Sequence, residues 1–187
     1  KEGQGPMAWI NAREGKLLRV FEKQVAERAK HSLFVSAAEV DLFQQRSGLD
    51  DDKVLAMGNG IDLAFYDPKK VTALERRSDH PLIVFTGQMD YRPNIQAVSS
   101  FATHAMPIIL QNHPTAEFAI VGRAPTAEVQ QLDGVNNTKV IGEVDDIRSW
   151  LDAADVIVAP LRIARGIQNK VLEAMAMEKA VVASTAA

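Results

Sequence analysis

The residues best suited to chemistry lie together in one segment near the end of the chain, residues 164–176. This segment, ARGIQNKVLEAMA, follows the apolar run ADVIVAPL, and its pattern predicts a loop that enters a helix near Gly166. Such a helix would offer free backbone N–H groups and the positive end of its dipole to an anion. Lys170 and Glu173 are three residues apart and would share one helix face, either as a ligand site or as an ordinary surface ion pair. Periodicity alone favours neither interpretation.

Glycines and basic residues follow the strand-like runs in the second half of the chain. The glycines are Gly87, Gly122 and Gly142, and the basic residues are Arg92, Arg123, Arg162 and Arg165. In an open parallel sheet the carboxyl ends of the strands meet at one edge, and ligands bind just outside it. Four cationic side chains at one edge favour an anion. Neither G-x-G-x-x-G nor G-x-x-x-x-G-K-[ST] occurs, so the anion would be held in another way.

Continuous apolar runs indicate the sheet that must position these groups. The runs LIVF, FAIV, VIVA and AVVA do not alternate with polar residues, which is typical of parallel strands covered by helices on both faces. Helical patterns separate the runs, so residues 81–187 are predicted to form a doubly wound α/β domain. One helix should start around Pro93 and break or kink at Pro107, and Asp145 is the predicted N-cap of a later one. The last helix should pack on the sheet through Ile167, Val171, Ala174 and Met175.

Residues 1–57 show a different pattern and are predicted to belong to another unit. Residues 12–30 have apolar positions at helical spacing opposite a charged face, which predicts an amphipathic helix. A short strand, a helix and another short strand follow, and the second helix should begin after Ser36 and stop at Gly48. Residues 58–80 are polar and predict a linker, in which Asn59-Gly60 suits a turn or hinge.

Composition excludes several classes of function. The chain has 187 residues, a formal net charge of −3 and no cysteine, which excludes disulfides, thiolate metal sites and a cysteine nucleophile. No basic stripe interleaved with aromatic residues indicates nucleic-acid binding, and no His, Asp or Glu cluster has the spacing of a metal site. No apolar run is long enough to span a membrane, and a cytoplasmic location is expected. The chain does not begin with methionine and stops just after a strand-like run, so we expect a fragment of a longer protein.

Five stretches taken together resemble the second half of a family 4 glycosyltransferase of the GT-B fold. They are NGIDLAFYDP, GQMDYRPN, AEFAIVGRAP, VIGEVDDIRSWLDAADVIVAPL and GIQNKVLEAMAMEKAVVAS. Their order and spacing are most similar to sugar transferases associated with bacterial exopolysaccharide systems. The resemblance covers about residues 12–187 and is strongest from residue 80. It implies two Rossmann-like domains facing a cleft, one binding the acceptor and one binding a nucleotide-sugar donor.

On this resemblance the chain divides at the cleft. Residues 1–57 would be the tail of the N-terminal acceptor domain, residues 58–80 the hinge, and residues 81–187 the donor domain, truncated at its C-terminus. The fragment alone is expected to be inactive. The partners implied are a nucleotide-sugar donor and a glycan or lipid-linked acceptor. A peripheral membrane association through the missing N-terminal domain and the oligomeric state are left open.

The resemblance also assigns individual residues. Glu173 matches the second glutamate of the family's donor motif and would accept hydrogen bonds from the ribose hydroxyls. Gly166 matches the glycine whose N–H faces phosphate, whereas Arg165 stands where the family has its first glutamate. The family's basic pair falls at Gln88 and Pro93, neither of which is basic. The replacements for that pair are Arg92, Arg165 and Lys170.

The expected mechanism is stabilisation of the departing diphosphate. Negative charge develops on the β-phosphate as the glycosidic bond breaks, and charged or amide donors in a dry cleft lower that barrier. Lys170 and Arg165 are the predicted catalytic residues, and the resemblance implies a retaining transfer. No metal or cofactor is expected, because arginine and lysine can neutralise the charge. The other predicted donor-binding residues are Gly87, Arg92, Arg123, Gly142, Val144, Gly166, Asn169 and Glu173. Among them, Arg123 and the backbone from Gly142 to Val144 would border the base.

Two alternatives remain open on the sequence. Another GT-B enzyme, such as a nucleotide-sugar 2-epimerase, would share the nucleotide pocket but would need acid and base carboxylates that the sequence does not reveal. A non-catalytic sugar-phosphate or nucleotide-binding α/β module would need the pocket alone.

Overall fold

The chain forms two compact units, Lys1–Asn59 and Gly60–Ala187, in the computed structural model. The structure describes residues 6–72, 74–76, 79–162 and 167–185. The first unit contains a two-stranded sheet and the second a five-stranded sheet.

The first unit alternates helices and short strands. Its elements are α1 (Pro6–Arg28), β1 (Ser32–Phe34), α2 (Ala37–Ser47) and β2 (Val54–Ala56), and the two strands pair in parallel. The predicted limits of α2 are confirmed. The Ser36 side chain accepts a hydrogen bond from the backbone N–H of Glu39, and Gly48 ends the helix at φ 72°. A left-handed residue at this position is common at helix C-termini, and glycine adopts it without steric cost.

Helix α1 is longer than predicted, because it begins at Pro6 rather than at residue 12. The predicted apolar stripe is present but largely exposed, and Ala26 is the one buried residue among those described in α1. Large exposed apolar side chains on this helix include Trp9, Leu17, Leu18, Phe21 and Val25.

Five parallel strands form the sheet of the second unit. They are β3 (Leu82–Thr86), β4 (Glu117–Val121), β5 (Thr138–Gly142), β6 (Val156–Ala159) and β7 (Ala180–Ala183). Their order is β5-β4-β3-β6-β7, so the chain starts in the centre, builds one half of the sheet outward and then crosses to build the other. The strand order therefore reverses between β3 and β6. The crevice at such a reversal is where ligands bind in open α/β sheets.

Helices cover both faces of this sheet. They are α3 (Arg92–Ser100), which continues through a π turn (Phe101–Ala105) into α4 (Met106–Asn112), then α5 (Ala127–Gln130), α6 (Ile147–Ala153) and α7 (Asn169–Ala176). One core contains Phe85, Phe118 and Ile120, and the other contains Val84, Leu151 and Met177. Alternate residues of β3 thus point into opposite cores, and the predicted doubly wound α/β fold is confirmed.

The first residues of the second unit, after residue 60, pack against its sheet and helices. Tyr66 and Val71 contact the core that contains Val84. Arg148 of α6 donates a hydrogen bond to the carbonyl of Phe65 at 2.8 Å, and its guanidinium lies 4.0 Å from the centre of the Phe65 ring. The same guanidinium forms a bidentate ion pair with Asp146. Part of the predicted linker is therefore fixed to α6.

Local details differ from the predictions at two helix starts. The N-cap of α6 is Asp146, not Asp145, because the Asp146 carboxylate accepts from the backbone N–H and the guanidinium of Arg148. Pro107 does not end its helix. The helix continues through a π turn that ends just before Pro107, and this turn is the irregularity at the predicted break or kink.

The core-facing stripe of α7 also differs from the prediction. Met175 is 61% exposed and Ile167 is 38% exposed, so neither packs in the core. Ala174 is fully buried as predicted, and Met177, which was not predicted, is fully buried beside it. With the partly buried Val171 they give a spacing of three residues, so the stripe lies slightly around the helix from the one predicted.

Candidate functional site

Two glycines bring the ends of β3 and β4 very close together. A Cβ atom added to Gly122 would lie 1.7 Å from the carbonyl oxygen of Gly87, and both residues have positive φ, 149° and 155°. The N–H of Gly87 donates to the carbonyl of Val121, and the N–H of Gly122 donates to the carbonyl of Gly142. Only glycine fits this approach, because any side chain at Gly122 would collide with backbone. These three strand ends therefore form one closely packed edge.

Helix α7 meets this edge at the crevice between β3 and β6. The helix begins at Asn169, three residues later than predicted, with Gln168 as its N-cap. Asn169 is exposed at this start. Arg165 and Gly166, to which a catalytic and a phosphate-binding role were assigned, lie outside the described residues. Their assignments stay predictions.

Lys170 is directed across the end of β3 and is partly buried. Its Nζ lies 3.9 Å from the centre of the Phe85 ring and donates a hydrogen bond to Asn94 Oδ1 at 2.9 Å. A Cβ added to Gly87 would lie 3.1 Å from this nitrogen. Burial lowers the pKa of Lys170 from its ordinary 10.5 to about 8, and the charge of Glu173 opposes that shift only weakly. The predicted surface ion pair with Glu173 does not form among the residues described.

Asn94 is a site residue that the sequence analysis missed. It lies in the first turn of α3, is 7% exposed, and donates from Nδ2 to the carbonyl of Gln88 at 2.9 Å. Both ends of its amide are therefore used, one by the loop after β3 and the other by Lys170. A polar residue directly after Pro93, in the first turn of a helix that leaves a strand end, was the available signal.

Arg123 reaches the same loop from the neighbouring strand. Its Nη2 donates to Gln88 Oε1 at 2.9 Å, and its carbonyl accepts from the N–H of Met89. The resemblance placed one of the family's basic residues at Gln88 and placed Arg123 beside the base. In the structure the Arg123 guanidinium lies at Gln88, so its positive charge lies at the loop that follows β3, and its role beside the base stays a prediction.

Glu173 is paired with a tyrosine from the segment that follows residue 60. Burial, the charge of Glu173 and a hydrogen bond to its carboxylate together raise the pKa of Tyr66 to about 12. The protonated Tyr66 hydroxyl thus lies close to the Glu173 carboxylate. The carboxylate keeps free lone pairs, since a carboxylate accepts about four hydrogen bonds.

The remaining predicted residues lie around this centre. Gly142 ends β5 at φ 80°, and the Val144 side chain packs against the core that contains Val84. Arg92 and Arg162 are exposed, at the start of α3 and just after β6 respectively. The structure thus brings Gly87, Arg123, Gly142 and Lys170 to one edge with Asn94, and it places Glu173 one turn further along α7.

A cavity lies elsewhere in the described residues, away from the carboxyl ends of β3 and β4. Among the described residues no cluster of His, Asp and Glu side chains could hold a metal ion. No helix within the described ranges is both long and apolar enough to cross a membrane. The cavity, of about 280 Å³, lies at the opposite, amino edge of the sheet, between Leu82, Ala119 and Trp150. Its charged lining includes Lys139 and Glu117, which pair with each other.

Fold and site together define a Rossmann-like domain of the GT-B class, with cationic groups at the switch point of a parallel sheet. The chain belongs to the family described as glycosyl transferases group 1, whose model matches residues 80–187. It is 30% identical over 169 residues to a phosphatidyl-myo-inositol mannosyltransferase from Propionibacterium freudenreichii subsp. shermanii. That match covers 89% of this chain and 41% of the relative.

Solved structures show the same fold. A glycosyltransferase from Rickettsia africae superposes with a TM-score of 0.69 at 17% identity, covering 87% of this chain and 47% of that one. Anabaena HepE, solved in complex with UDP and glucose, superposes with a TM-score of 0.62 at 19% identity, covering 90% and 48%. The chain thus spans less than half the length of each of these proteins.

Proposed function

We propose that the protein transfers a sugar from a nucleoside diphosphate sugar to a glycan or lipid-linked acceptor, and that residues 60–187 bind the donor. The observation that carries this proposal is the Lys170 ammonium group. Neutral partners hold it at the sheet's switch point, next to the Gly87 backbone. Family membership supports the reaction class.

In the proposed site the diphosphate lies against the ends of β3 and β6. Lys170 supplies a positive charge there, and Arg123 adds a second one at Gln88. As the glycosidic bond breaks, charge develops on the β-phosphate, and preorganised cations stabilise it most where water is excluded. Arg165 and the Gly166 amide complete the predicted phosphate contacts, and Arg92 contributes from the start of α3. Because lysine and arginine supply the charge, the proposal includes no metal ion or cofactor.

The proposed ribose contact is Glu173. Its carboxylate interacts with the Tyr66 hydroxyl and has acceptor capacity for the hydroxyls of a ribose as well. The order of groups along α7 supports this arrangement. Lys170 faces the carboxyl ends of the strands, and Glu173 lies one turn further along the helix, away from Gly87. The backbone from Gly142 to Val144 is proposed to border the base.

The finer parts of the proposal rest on the family resemblance. They are transfer of a hexosyl group, retention of its anomeric configuration, a role in exopolysaccharide or cell-envelope synthesis, and action at the cytoplasmic side of the membrane. The curated relative is named as a mannosyltransferase that acts on a lipid, which is compatible with a lipid-linked acceptor.

The direct test is nucleotide binding by the chain. UDP, GDP and ADP are titrated calorimetrically into the wild type, Lys170→Met and Glu173→Gln. At least one nucleotide should bind, and Lys170→Met should weaken it about 10- to 100-fold, as expected for loss of a charge-assisted hydrogen bond. Lys179→Met is the matched control, because Lys179 pairs with Asp152 at the opposite edge. The donor-site assignment fails if no nucleotide binds, or if both lysine variants bind equally well.

A further inference from the structure

Lys170 and Glu173 are spaced to form an ion pair, yet the structure keeps them apart. Opposite charges three residues apart on a helix normally attract each other. Here the Lys170 ammonium binds Asn94 and lies over Phe85, whereas the Glu173 carboxylate interacts with the Tyr66 hydroxyl. Two neutral groups therefore replace the attraction that the sequence suggests. One of them, Asn94, comes from 76 positions earlier in the chain.

The orientation of the Asn94 amide is fixed by its surroundings. Its Nδ2 can only face an acceptor, and the backbone carbonyl of Gln88 lies 2.9 Å away. Its Oδ1 faces a donor, the Lys170 ammonium, at the same distance. If the amide were rotated by half a turn, its NH₂ group would face the Lys170 ammonium, which is also a donor, and its oxygen would face the Gln88 carbonyl, which is also an acceptor. At 7% exposure there is little water to compensate for such a mismatch.

A neutral partner leaves the charge of Lys170 available. An amide oxygen accepts one N–H without cancelling the positive charge, whereas a carboxylate at the same position would neutralise it. The ammonium has three N–H donors, and Asn94 takes one of them. The Phe85 ring stabilises the cation through its π face and also leaves the net charge unchanged.

From this geometry we infer that Asn94 is a positioning residue. It holds the Lys170 ammonium beside Gly87, away from Glu173, so that the full positive charge is available to a bound diphosphate. The inference rests on the proposed donor site but concerns the diphosphate alone. It therefore applies to any compound that carries that group, including inorganic pyrophosphate.

The test uses the full chain, inorganic pyrophosphate and two variants. In Asn94→Ala the ammonium loses its acceptor, and pyrophosphate should bind about tenfold more weakly. In Asn94→Asp an acceptor for Lys170 remains, but it neutralises the charge, and the donor to the Gln88 carbonyl is lost, so the affinity should fall at least as far. Asn112→Ala is the matched control, since Asn112 is exposed at the end of α4.

A second readout follows the position of Lys170 directly. In the wild type the protons of its terminal methylene should be shifted upfield by the Phe85 ring, which NMR of ¹³C-lysine-labelled protein detects. Asn94→Ala should lose this shift, and Asn94→Asp should keep it. A residue needed only for folding would not separate the two variants in this way. Circular dichroism first checks the fold of both variants, because Asn94→Asp loses the donor to the Gln88 carbonyl. If Asn94→Ala folds poorly, Asn94→Asp decides the question, because its affinity should fall while its ring shift stays, and if Asn94→Asp folds poorly, the ring shift and affinity of Asn94→Ala decide it.

The outcomes separate this inference from the proposed function. The inference is wrong if pyrophosphate does not bind the wild type, or if it binds both variants as tightly as the wild type. It is equally wrong if the Lys170 resonance is unchanged in Asn94→Ala. If pyrophosphate binding depends on Asn94 but no nucleoside diphosphate binds, the positioning role stands and the donor proposal fails.

Discussion

In the five-stranded sheet, cationic side chains have different partners at the two ends of the strands. Those at the amino ends, called the amino edge, pair with carboxylates, whereas those at the carboxyl ends, called the carboxyl edge, bind side-chain amides. At the amino edge, Arg76 pairs with Asp155, Lys139 with Glu117, and Lys179 with Asp152. At the carboxyl edge, Lys170 binds the amide of Asn94 and Arg123 binds the amide of Gln88. The same kinds of cationic side chain are thus neutralised at one edge and left with their charge at the other.

Arg148 is a cation near the carboxyl edge that is nevertheless paired with a carboxylate. It follows β5 near the carboxyl edge, yet it forms a bidentate ion pair with Asp146. Its other contacts are the carbonyl and the ring of Phe65. A cation that is paired with a carboxylate therefore has a structural role even on this side of the sheet. The chemistry of the partner, more than the position of the cation, distinguishes a binding group from an anchor.

The prediction with the largest effect concerns the close approach of Gly122 to Gly87. Gly122→Ala would place a Cβ atom 1.7 Å from the carbonyl oxygen of Gly87, at a φ of 149° that alanine rarely adopts. Strain and clash together should lower the free energy of unfolding by about 3 kcal/mol or more. Urea denaturation followed by circular dichroism measures this change.

The matched control is Gly134→Ala. Gly134 also has a positive φ, of 80°, but nothing lies within 4 Å of the added Cβ. Its loss should be about 1–2 kcal/mol, the cost of the left-handed conformation alone. Similar losses for the two variants would show that the close approach of β3 and β4 is not a constraint.

The second prediction uses the pKa of Lys170, which burial lowers to about 8. The charged form is needed to bind a diphosphate, so nucleoside diphosphate affinity should fall about tenfold between pH 7 and pH 9. Calorimetry at pH 8 in buffers of different ionisation enthalpy should also detect proton uptake on binding. Lys170→Met should abolish both effects, and a wild-type affinity that stays constant across this range would contradict the prediction.

Folding stability should respond to the same group with the opposite sign. Between pH 8 and the ordinary lysine pKa of 10.5, the unfolded chain holds a proton that the folded protein has released. The free energy of unfolding of the wild type, compared with that of Lys170→Met, should therefore increase as pH rises through this window. Binding and stability would thus move in opposite directions with pH.

Local patterns predicted most of the fold. The apolar runs gave the strands of the parallel sheet, and Ser36 and Gly48 gave the limits of α2, because each depends on neighbouring residues only. The destination of Lys170 could not be predicted in this way, since its partner Asn94 lies on another helix, brought near by the crossover between β3 and β6. Periodicity showed that Lys170 and Glu173 share a helix face, but not which groups from elsewhere would separate them.

The third prediction gives a cation at the carboxyl edge a carboxylate partner, as cations at the amino edge have. Gln88→Glu places a carboxylate beside the Arg123 guanidinium, now 2.9 Å from the amide oxygen. The new ion pair should reduce pyrophosphate affinity about fivefold, a small effect because Arg123 is exposed and screened by salt. Gln111→Glu, at an exposed position of α4, controls for the added negative charge. Equal losses in the two variants would attribute the effect to net charge instead of to Arg123.

The fourth prediction makes the reverse change at the amino edge and has the smallest effect. The hydrogen bond from Lys139 is the main cause that lowers the pKa of Glu117 below its ordinary value of 4.5, and His80 assists it. Because the folded pKa is depressed, the ionised carboxylate stabilises the fold at neutral pH, and this contribution is lost as pH falls below 4.5. Glu117→Gln should therefore lower the free energy of unfolding by about 0.5 kcal/mol at pH 7, and the difference from wild type should shrink in acid. Pyrophosphate affinity should be unchanged, because the amino edge is proposed to anchor cations and not to present them. A loss of affinity in Glu117→Gln, measured beside Gln88→Glu, would show that the two edges do not divide the work in this way.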